Sequence, residues 1–471
     1  MLVAFVIFLS FFLIVGLLSS RKATGTKEDY YLASLGVSPW LAGLSAVATN
    51  NSGYMFIGVI GYTYATGLPA IWLMVGWIVG DFMASLYIHQ KLRLATERSN
   101  ELSYAGVLSH WAGNQNALQR LMGLIALIFL LAYAAAQLVA GSKALNALLD
   151  WPLWSGAVMG AVLIATYCFA GGIRASIWTD AAQSLVMVSA MAVLLFVALD
   201  NAGGFAAAAD QLAAIPGYME WSPEDLAVPG VTGGVLFAVS WLFAGFSVVG
   251  QPHIMVRFMS LDKPSHFVET RVWYYAWFTL FYGMATAVGL LAKLYFAEDS
   301  FDAELALPLM AQQMLPDVMV GLILAGIFAA TISTADSLIL SSSAAITHDL
   351  LPHKVEKTVL IKGATLATVL LALGWALLNE ESVFNLVILA WSGLASAFAP
   401  LLIVLSIGAK PRQAIAIAMV LLGLVTALLW RQLGWHQYLY EGMPGIVVPL
   451  TFYVIAARLL PDHLSHPKKD V

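Results

Sequence analysis

Long apolar runs recur from one end of this chain to the other, and they restrict its fold more than any other feature. The chain has 471 residues, of which 61% are hydrophobic and only 10% are Asp, Glu, Lys or Arg. Soluble globular domains carry about 25% charged residues. Because a helix needs about 20 consecutive apolar residues to cross a bilayer, the sequence predicts an all-α polytopic membrane protein.

Thirteen transmembrane spans are predicted from these runs. The first has no basic residue ahead of its apolar stretch and no small-residue cleavage site behind it, so we interpret it as a retained span rather than a signal peptide. Several runs are longer than a bilayer requires, which indicates tilt, a break within the membrane or extension into water. The predicted spans are 2–18, 37–67, 70–88, 118–148, 153–171, 177–200, 231–250, 272–296, 305–347, 358–378, 383–406, 411–431 and 443–459.

The positions of the basic residues predict the orientation. Of 22 Lys and Arg, all but Lys143, Lys293 and Arg431 fall near span ends on the side of Arg21 and Lys22. That side carries "QKLRLATER", "HKVEKTVLIK" and the tail "HPKKD", whereas the other carries the acidic loops "PEDL", "AEDSFDAE" and "NEES". By the positive-inside rule, the N-terminus is expected outside and the C-terminus in the cytoplasm, in a bacterial inner membrane.

A polar segment at 201–230 divides the chain into two blocks of five spans. Because five is odd, the two blocks enter the membrane from opposite sides, as in the inverted repeats of secondary transporters. The predicted division is 1–36 for the first span and a cytoplasmic loop, 37–200 for the first block, 201–230 for an external loop, 231–406 for the second block, and 407–471 for two peripheral spans and a short cytoplasmic tail.

The stretch "ATNNSGY", residues 48–54, interrupts a predicted span with polar residues. Asn, Ser and Thr compete for backbone hydrogen bonds, and Gly contributes no side-chain packing, so the helix is expected to unwind there. Non-helical backbone at membrane depth persists where it lines a cavity or binds a ligand. The carbonyl groups freed by unwinding suit a hard cation such as Na⁺.

A second break is predicted at 328–351, "FAATISTADSLILSSSAAITHDLL". Ser333, Thr334, Asp336 and Ser337 lie within one and a half turns, and they offer oxygen ligands of little net charge. Hydroxyls in membrane helices more often bond to their own backbone or pack at helix contacts. The pairing of two such clusters in one chain favours an ion site.

Asp180 is a carboxylate within a predicted span, which is by default a functional-site hypothesis. Its alternative is a salt bridge with nearby Arg174. His253 and His348 are expected near the cytoplasmic ends of spans, at the membrane interface.

Five stretches together resemble the sodium:solute symporter family, and the sodium/proline symporters within it. They are "LSAVATNNSGYMFIG" (44–58), "GGIRASIWTDAAQ" (171–183), "GQPHIMVRFM" (250–259), "LAGIFAATISTADSLILSSSAAITHDL" (324–350) and "AWSGLASAFAP" (390–400). The resemblance implies a LeuT-type 5+5 inverted repeat and sodium-coupled uptake by alternating access, with Na⁺ as coupling ion and no cofactor.

The resemblance also implies particular site residues. The sodium site falls on the carbonyls of Ala48, Asn51 and Ala330 and the hydroxyls of Ser333 and Thr334. A second cation site would comprise Ser333, Asp180, Asp336 and Ser337, although Asp336 stands where members with that site have Ser. The implied substrate-binding residues are Asn50, Ser52, Gly53, Tyr54, Tyr133, Gln137, Ala244, Val248 and Gln251.

The substrate pocket departs from the proline transporters at several positions. Tyr54 replaces a tryptophan, Asn50 replaces an acidic residue, and Ala244 and Val248 replace aromatics. Each lost aromatic removes roughly 150–250 Å² of contact area, so a roomier pocket is expected, with Gln137 as a new polar contact. Alternatively, Trp241 or Phe246 fills the gap.

The preferred function is an importer of a small amino acid or related organic acid, with substrate, Na⁺ and membrane lipid as partners. Nucleic acid is excluded by the small net charge of −5, and no obligate protein partner is evident. One alternative is a membrane sensor module of the same fold. The sequence up to Val471 contains no signalling domain, which argues against this alternative. Others are a carboxylate or vitamin symporter and an intramembrane enzyme using Asp180 or Asp336. A channel is poorly supported because the sequence contains no filter motif.

Overall fold

The structure is a computed structural model that describes residues 1–223, 225–226, 228–296, 301–352, 355–378, 382–459 and 464–465. Among these residues, eleven helices are long and apolar enough to cross a membrane. The prediction of an all-α polytopic membrane protein is therefore confirmed. Several charged stretches used to predict orientation include residues 224, 297–300, 353–354, 379–381 and 466–471, which lie outside the described residues.

Twenty α-helices follow one another along the described chain, and one pair of two-residue strands joins 410–411 to 464–465. The helices are α1 Leu2–Ser19, α2 Lys27–Leu32, α3 Pro39–Asn50, α4 Ser52–Tyr54, α5 Ile60–Thr66, α6 Ile71–Ser85, α7 Ile88–Ser99, α8 Tyr104–Trp111, α9 Asn116–Leu149, α10 Leu153–Asn201, α11 Phe205–Ala213, α12 Val231–Phe246, α13 Pro252–Met259, α14 Phe267–Tyr295, α15 Ala306–Met314, α16 Asp317–Ala344, α17 Thr358–Leu378, α18 Val383–Ser406, α19 Gln413–Gln432 and α20 Gly442–Leu459. The strands are β1 Lys410–Pro411 and β2 Leu464–Ser465, which pair antiparallel.

The difference between thirteen predicted spans and eleven continuous helices comes from two places. The predicted spans 153–171 and 177–200 form the single 49-residue α10, which has non-helical backbone only at Gly172. Gly172 adopts φ +54°, and a Cβ there would lie 2.5 Å from the Tyr30 carbonyl oxygen, so both conformation and close packing require glycine. The predicted span 37–67 consists of short helical pieces, and the count of thirteen spans stays a prediction.

The predicted interruption at 48–54 is confirmed. Helix α3 ends at Asn50, and Asn51 has non-helical angles of φ −89° and ψ 7°. The Asn51 side-chain amide donates to the Val47 carbonyl oxygen at 2.9 Å, which is the local competition for backbone bonds that the sequence predicts. A single α-helical turn (α4) and a π-helical segment at Met55–Val59 then lead into α5.

A second interruption separates α12 from α13, at a place where the sequence analysis put only the end of a span. The chain passes through a 3₁₀ turn at Ser247–Gly250 and then an extended residue, Gln251, with φ −99° and ψ 101°. Pro252 explains the break, because proline lacks an amide hydrogen and disfavours helical backbone in the residue before it. Thus the first long helical segment of each predicted block is interrupted.

The prediction of a helix break at 328–351 is wrong. Helix α16 is continuous from Asp317 to Ala344, and only Ala345–Leu350 at its end is π-helical. Its hydroxyls find partners without unwinding, since Ser337 donates to the carbonyl oxygen of Ser333 at 2.7 Å, one turn earlier. The actual break in the predicted span 305–347 lies at Leu315–Pro316, between α15 and α16.

Helices α16 and α18 form the centre of the molecule. Their most apolar windows are 83% and 89% buried, whereas those of α1, α17, α19 and α20 are at most a third buried and belong to the lipid-facing periphery. Helices α6 and α12 approach closely through small residues, because a Cβ at Gly80 would lie 2.0 Å from the Leu242 carbonyl oxygen. The interrupted segments themselves contact α16 through α3, α4 and α13.

Candidate functional site

The interruption at Asn51 lies against the hydroxyl-bearing face of α16. The Thr334 hydroxyl donates to the Thr49 carbonyl oxygen at 2.9 Å, and the Ser333 hydroxyl lies 3.4 Å from the Ala48 carbonyl oxygen. Ser333 also donates to the Ala330 carbonyl oxygen at 3.1 Å. Backbone oxygens of α3 and hydroxyl oxygens of α16 therefore converge, although the two segments are nearly 300 residues apart in the sequence.

The five predicted sodium ligands have two properties that suit a monovalent cation. All are at most 1% exposed, and all offer neutral oxygens. Each hydroxyl can rotate its hydrogen away and present a lone pair instead. The structure brings Ala48, Ala330, Ser333 and Thr334 together, whereas Asn51 lies at the interruption with its side-chain amide bonded to Val47. Because these ligands are uncharged, the arrangement can hold a cation without a carboxylate in direct contact with it.

The second predicted cluster also assembles, but around an arginine. Arg257 on α13 extends its guanidinium between Asp180 on α10 and Asp336 on α16, with nitrogen–oxygen distances of 3.4 Å and 3.7 Å. The same guanidinium contacts the hydroxyls of Ser176, at 2.6 Å, and Ser337. All three charged side chains are fully buried. Sequence analysis did not identify Arg257, although it stands in the quoted stretch 250–259.

Asp180 does not pair with Arg174, so that prediction is wrong. Arg174 instead forms an ion pair with Asp29 and donates to the carbonyl oxygen of Ala33 at 3.0 Å. The reason is geometric, because six residues separate Arg174 from Asp180 and place them more than one and a half turns apart along α10.

The polar residues predicted to bind substrate surround the interruption. The Gly53 amide donates to the side-chain oxygen of Gln137 at 2.8 Å, and the Tyr133 hydroxyl lies 3.3 Å from that of Ser52. Gly53 is tightly enclosed, since a Cβ there would lie 2.4 Å from a methyl carbon of Thr331. Helix α9, which carries Tyr133 and Gln137, therefore fixes the conformation of the interrupted segment.

Aromatic rings form a continuous wall beside these polar groups. Trp77 lies with its ring centroid 5.9 Å from Tyr54 and 4.7 Å from Trp391. Tyr133 meets His253 edge-on at 5.4 Å, and His253 lies 6.4 Å from Trp391. His253 is fully buried among these rings, and its position at the membrane interface stays a prediction. Sequence analysis missed Trp77 and Trp391 because a tryptophan in an apolar span looks like ordinary core.

Trp391 also lies near Ala244 and Val248, the positions at which this chain lacks the aromatic residues of the proline transporters. Its indole nitrogen donates to the Ala244 carbonyl oxygen at 3.3 Å, while the side-chain amide of Gln251 donates to the Trp391 carbonyl oxygen at 2.9 Å. Ala244 and Val248 are both fully buried. Trp241, which we considered as a replacement, instead stacks on Tyr440 at 5.3 Å.

Several buried polar atoms around this aromatic wall have no hydrogen-bond partner among the described residues. They include the Tyr54 hydroxyl, the Trp77 indole nitrogen, the Gln137 side-chain nitrogen and both ring nitrogens of His253, with the side-chain oxygens of Asn50 and Gln251. Because buried polar groups are normally paired, these atoms make the region a candidate binding site for a polar molecule.

An ion-pair cluster lies at the ends of helices on the side predicted to face outside. The Lys143 ammonium lies 2.9 Å from an Asp302 carboxylate oxygen and 2.5 Å from one of Glu304. Burial is the largest single effect on Asp302 and raises its pKa, but the hydrogen bond from Lys143, the hydrogen bond from the Glu304 amide and the charge of Lys143 together lower that pKa below its usual value. Glu304 also accepts the amide hydrogen of Phe384 at 2.8 Å, so the cluster ties three elements together.

Comparison with known proteins identifies relatives over almost the whole chain. Residues 30–420 match the sequence profile of the sodium:solute symporter family. A high-affinity proline transporter of Bacillus subtilis is 27% identical, with coverage of 91% of this chain and 92% of that protein, and a sodium/proline symporter of Escherichia coli is 28% identical, with coverage of 95% and 90%. The solved structure of a Na⁺-coupled sialic acid symporter in a substrate-bound, outward-open state has a TM-score of 0.82 at 18% identity, covering 99% of this chain and 98% of that one.

Proposed function

The chain belongs to the sodium:solute symporter family, and on that basis we propose that it imports proline or another small amino acid together with Na⁺, by alternating access. The family and its curated relatives are transporters rather than enzymes, and Na⁺ is their coupling ion. The chain is accordingly a multi-pass membrane protein and a Na⁺-coupled symporter. The solute, the site residues and the topology are the proposed parts.

One observation carries the sodium assignment. The carbonyl oxygens of Ala48 and Thr49, beside the interruption at Asn51, face the hydroxyls of Ser333 and Thr334 inside the protein. Interrupted helices in secondary transporters use such oxygens to coordinate Na⁺. We assign the ion to the carbonyls of Ala48, Asn51 and Ala330 with these two hydroxyls.

The interruptions at Asn51 and Gln251 support the proposed 5+5 inverted repeat. Each falls in the first long helical segment of one proposed block, 37–200 or 231–406, and a corresponding pair of broken helices is typical of such repeats. With α10 divided at Gly172 and the segment 39–66 counted as one span, the chain crosses the membrane thirteen times. The N-terminus is then outside and the C-terminus in the cytoplasm, in agreement with the basic residues.

The unpaired polar atoms favour an amino acid over a simple carboxylate. Tyr54, Trp77 and Gln137 supply donors for a carboxylate, while the side-chain oxygens of Asn50 and Gln251 supply acceptors for an ammonium or imino group. A carboxylate without an amine would leave both acceptors unpaired. Burying an unpaired polar group costs about 1–3 kcal/mol each.

A competition experiment tests the proposed solute. Purified protein in proteoliposomes takes up radiolabelled proline in the presence of Na⁺, and the other nineteen amino acids and common carboxylates are added as competitors. We expect proline or one small amino acid to compete best, and matched carboxylates without the amine to compete poorly. Preferential competition by carboxylates would contradict the assignment of Asn50 and Gln251 as amine acceptors.

A further inference from the structure

A cavity of about 520 Å³ lies between α7, α8 and the C-terminal end of α18, and it shares no lining residue with the site described above. Four basic or imidazole side chains line it, and no carboxylate is found among its described lining residues. The four are Lys91, Arg98, His110 and Lys410. The positive-inside rule accounts for basic residues on this side of the membrane, but not for their grouping around one cavity. Because a cleft lined by charges of one sign concentrates counter-ions, the grouping indicates a site for an anion.

Lys91 is held at the wall of this cavity by a neutral partner. Its ammonium donates to the Ser406 carbonyl oxygen, at the end of α18, at 2.7 Å. An ammonium group has three hydrogens to donate, so others stay available to a ligand. Glu97, which precedes Arg98 on α7, forms its ion pair with Arg93 at 3.1 Å. The cavity therefore keeps the positive charges of Lys91 and Arg98.

The cavity lies at the level of the lipid headgroups. Helix α18 has 24 residues, which gives a length of about 36 Å, slightly more than the ~30 Å hydrocarbon core, so its end reaches the headgroup layer. Trp111 lines the cavity and Tyr87 is exposed beside Lys91, as is typical of aromatic residues at a membrane interface. Leu94, Ala95 and Leu405 make up an apolar part of the lining. A small water-soluble anion would leave this apolar part uncovered, whereas acyl chains would cover it.

We propose that this cavity binds one anionic phospholipid of the cytoplasmic leaflet. The phosphate lies beside Lys91 and Arg98, and the acyl chains follow Leu94 and Leu405 toward the hydrocarbon. Basic pockets between membrane helices on the cytoplasmic side recognise such headgroups. The inference goes beyond the proposed function, because neither the solute nor Na⁺ takes part in it.

Helix α7 connects this lipid site to the interrupted helices. Lys91, Leu94, Ala95 and Arg98 are spaced so that they share one face of α7. On another face, Arg93 donates to the carbonyl oxygens of Leu261 and Asp262, just after α13, at 2.6 Å and 3.2 Å. A lipid bound to α7 therefore stabilises the helix that anchors the second half of the interrupted segment α12–α13.

The test titrates purified full-length protein in detergent with phosphatidylglycerol or with phosphatidylcholine of the same acyl chains, and counts bound lipids by native mass spectrometry. We expect the wild type to retain one phosphatidylglycerol and to prefer it over phosphatidylcholine. The double variant Lys91→Gln/Arg98→Gln should lose roughly 30-fold in affinity for phosphatidylglycerol. The matched control, Arg120→Gln/Lys263→Gln, removes the same charge from exposed residues outside the cavity and should leave that affinity nearly unchanged.

Three results would overturn the inference. The first is equal retention of both lipids by the wild type, and the second is an unchanged preference in the double variant. The third is an equal loss in the control, which would assign the effect to overall surface charge. Soluble glycerol 1-phosphate should not displace the lipid, and displacement at matched concentration would assign the cavity to a free phosphate ester instead.

A single substitution keeps the test available should the double variant fail to fold. Arg98 is exposed, so Arg98→Gln is expected to leave folding intact. It should lower the affinity for phosphatidylglycerol by roughly fivefold. An unchanged affinity in this variant would also overturn the inference.

Discussion

Thr334 offers the sharpest test of the proposed sodium ligands. Its hydroxyl is fully buried and lies 2.9 Å from the Thr49 carbonyl oxygen beside the interruption. Thr334→Val preserves the shape of the side chain and removes only the oxygen. An interaction of a hydroxyl with a charged group contributes about 1.5–3 kcal/mol, which corresponds to about a 10- to 150-fold rise in the Na⁺ concentration for half-saturation.

Thr334→Val should also lower folding stability, independently of its effect on Na⁺ binding. Removing the hydroxyl leaves the buried Thr49 carbonyl unpaired, which costs about 1–3 kcal/mol of folding stability. Both quantities are accessible on one sample, through ²²Na⁺ binding isotherms and thermal unfolding of the purified protein. Thr334→Ser keeps the oxygen and should bind Na⁺ nearly as the wild type does.

A matched control distinguishes a ligand from a structural hydroxyl. Thr368 is equally buried, but its hydroxyl donates at 2.7 Å to the Thr365 carbonyl oxygen within its own helix, α17. Thr368→Val should lower stability without changing Na⁺ affinity. If Thr334→Val leaves the isotherm unchanged in folded protein, Thr334 is not a sodium ligand and the assignment fails.

Two further predictions concern packing and pH. Gly53→Ala places a Cβ 2.4 Å from Thr331, so we expect a loss of about 1–3 kcal/mol in stability and loss of substrate uptake, and wild-type uptake would show that the interruption is looser than described. His89 lies in the first turn of α7, beyond the end of α6. Burial and, to a smaller extent, the charge of Arg271 lower its pKa to about 3. An unfolded histidine has a pKa of about 6.5, so burying neutral His89 costs no stability above that pH. As the pH falls from about 6.5 toward 3, the unfolded state binds a proton that the folded state does not, and the free energy of unfolding falls by about 1.4 kcal/mol per pH unit. His89→Phe, which keeps the stacking on Phe258, should therefore flatten the fall in unfolding temperature between pH 6.5 and 4.5, and an unaltered slope would contradict the assignment.

Local sequence patterns predicted the features that depend on local physics. Apolar run length located the membrane helices, and the polar stretch 48–54 located the interruption at Asn51, because both follow from the cost of exposing backbone to lipid. The break before Pro252 also had a local sequence signal, which is the glycine at position 250 followed by this proline. It was missed because the glycine and proline were interpreted as the end of a span.

Other features depend on contacts between distant parts of the chain. The continuity of α16 could not be deduced from its Ser and Thr content, because such residues satisfy their hydroxyls either within a helix or by breaking it. Arg257 lies 77 residues from Asp180, whereas Arg174 lies only six away, so sequence proximity suggested the wrong partner. The aromatic wall of Trp77, His253 and Trp391 likewise forms only when separate helices pack.

The central claim is that Na⁺ drives solute uptake through the site between the Asn51 interruption and α16. At −100 mV and a tenfold inward gradient, one Na⁺ supplies about 2.3 kcal/mol from the potential and about 1.4 kcal/mol from the gradient. The direct measurement is uptake of labelled proline, or of the best competitor, into proteoliposomes at a fixed potential. Concentrative uptake with an inward Na⁺ gradient, abolished when K⁺ replaces Na⁺, is the predicted result. Equal uptake in both cations would contradict the account.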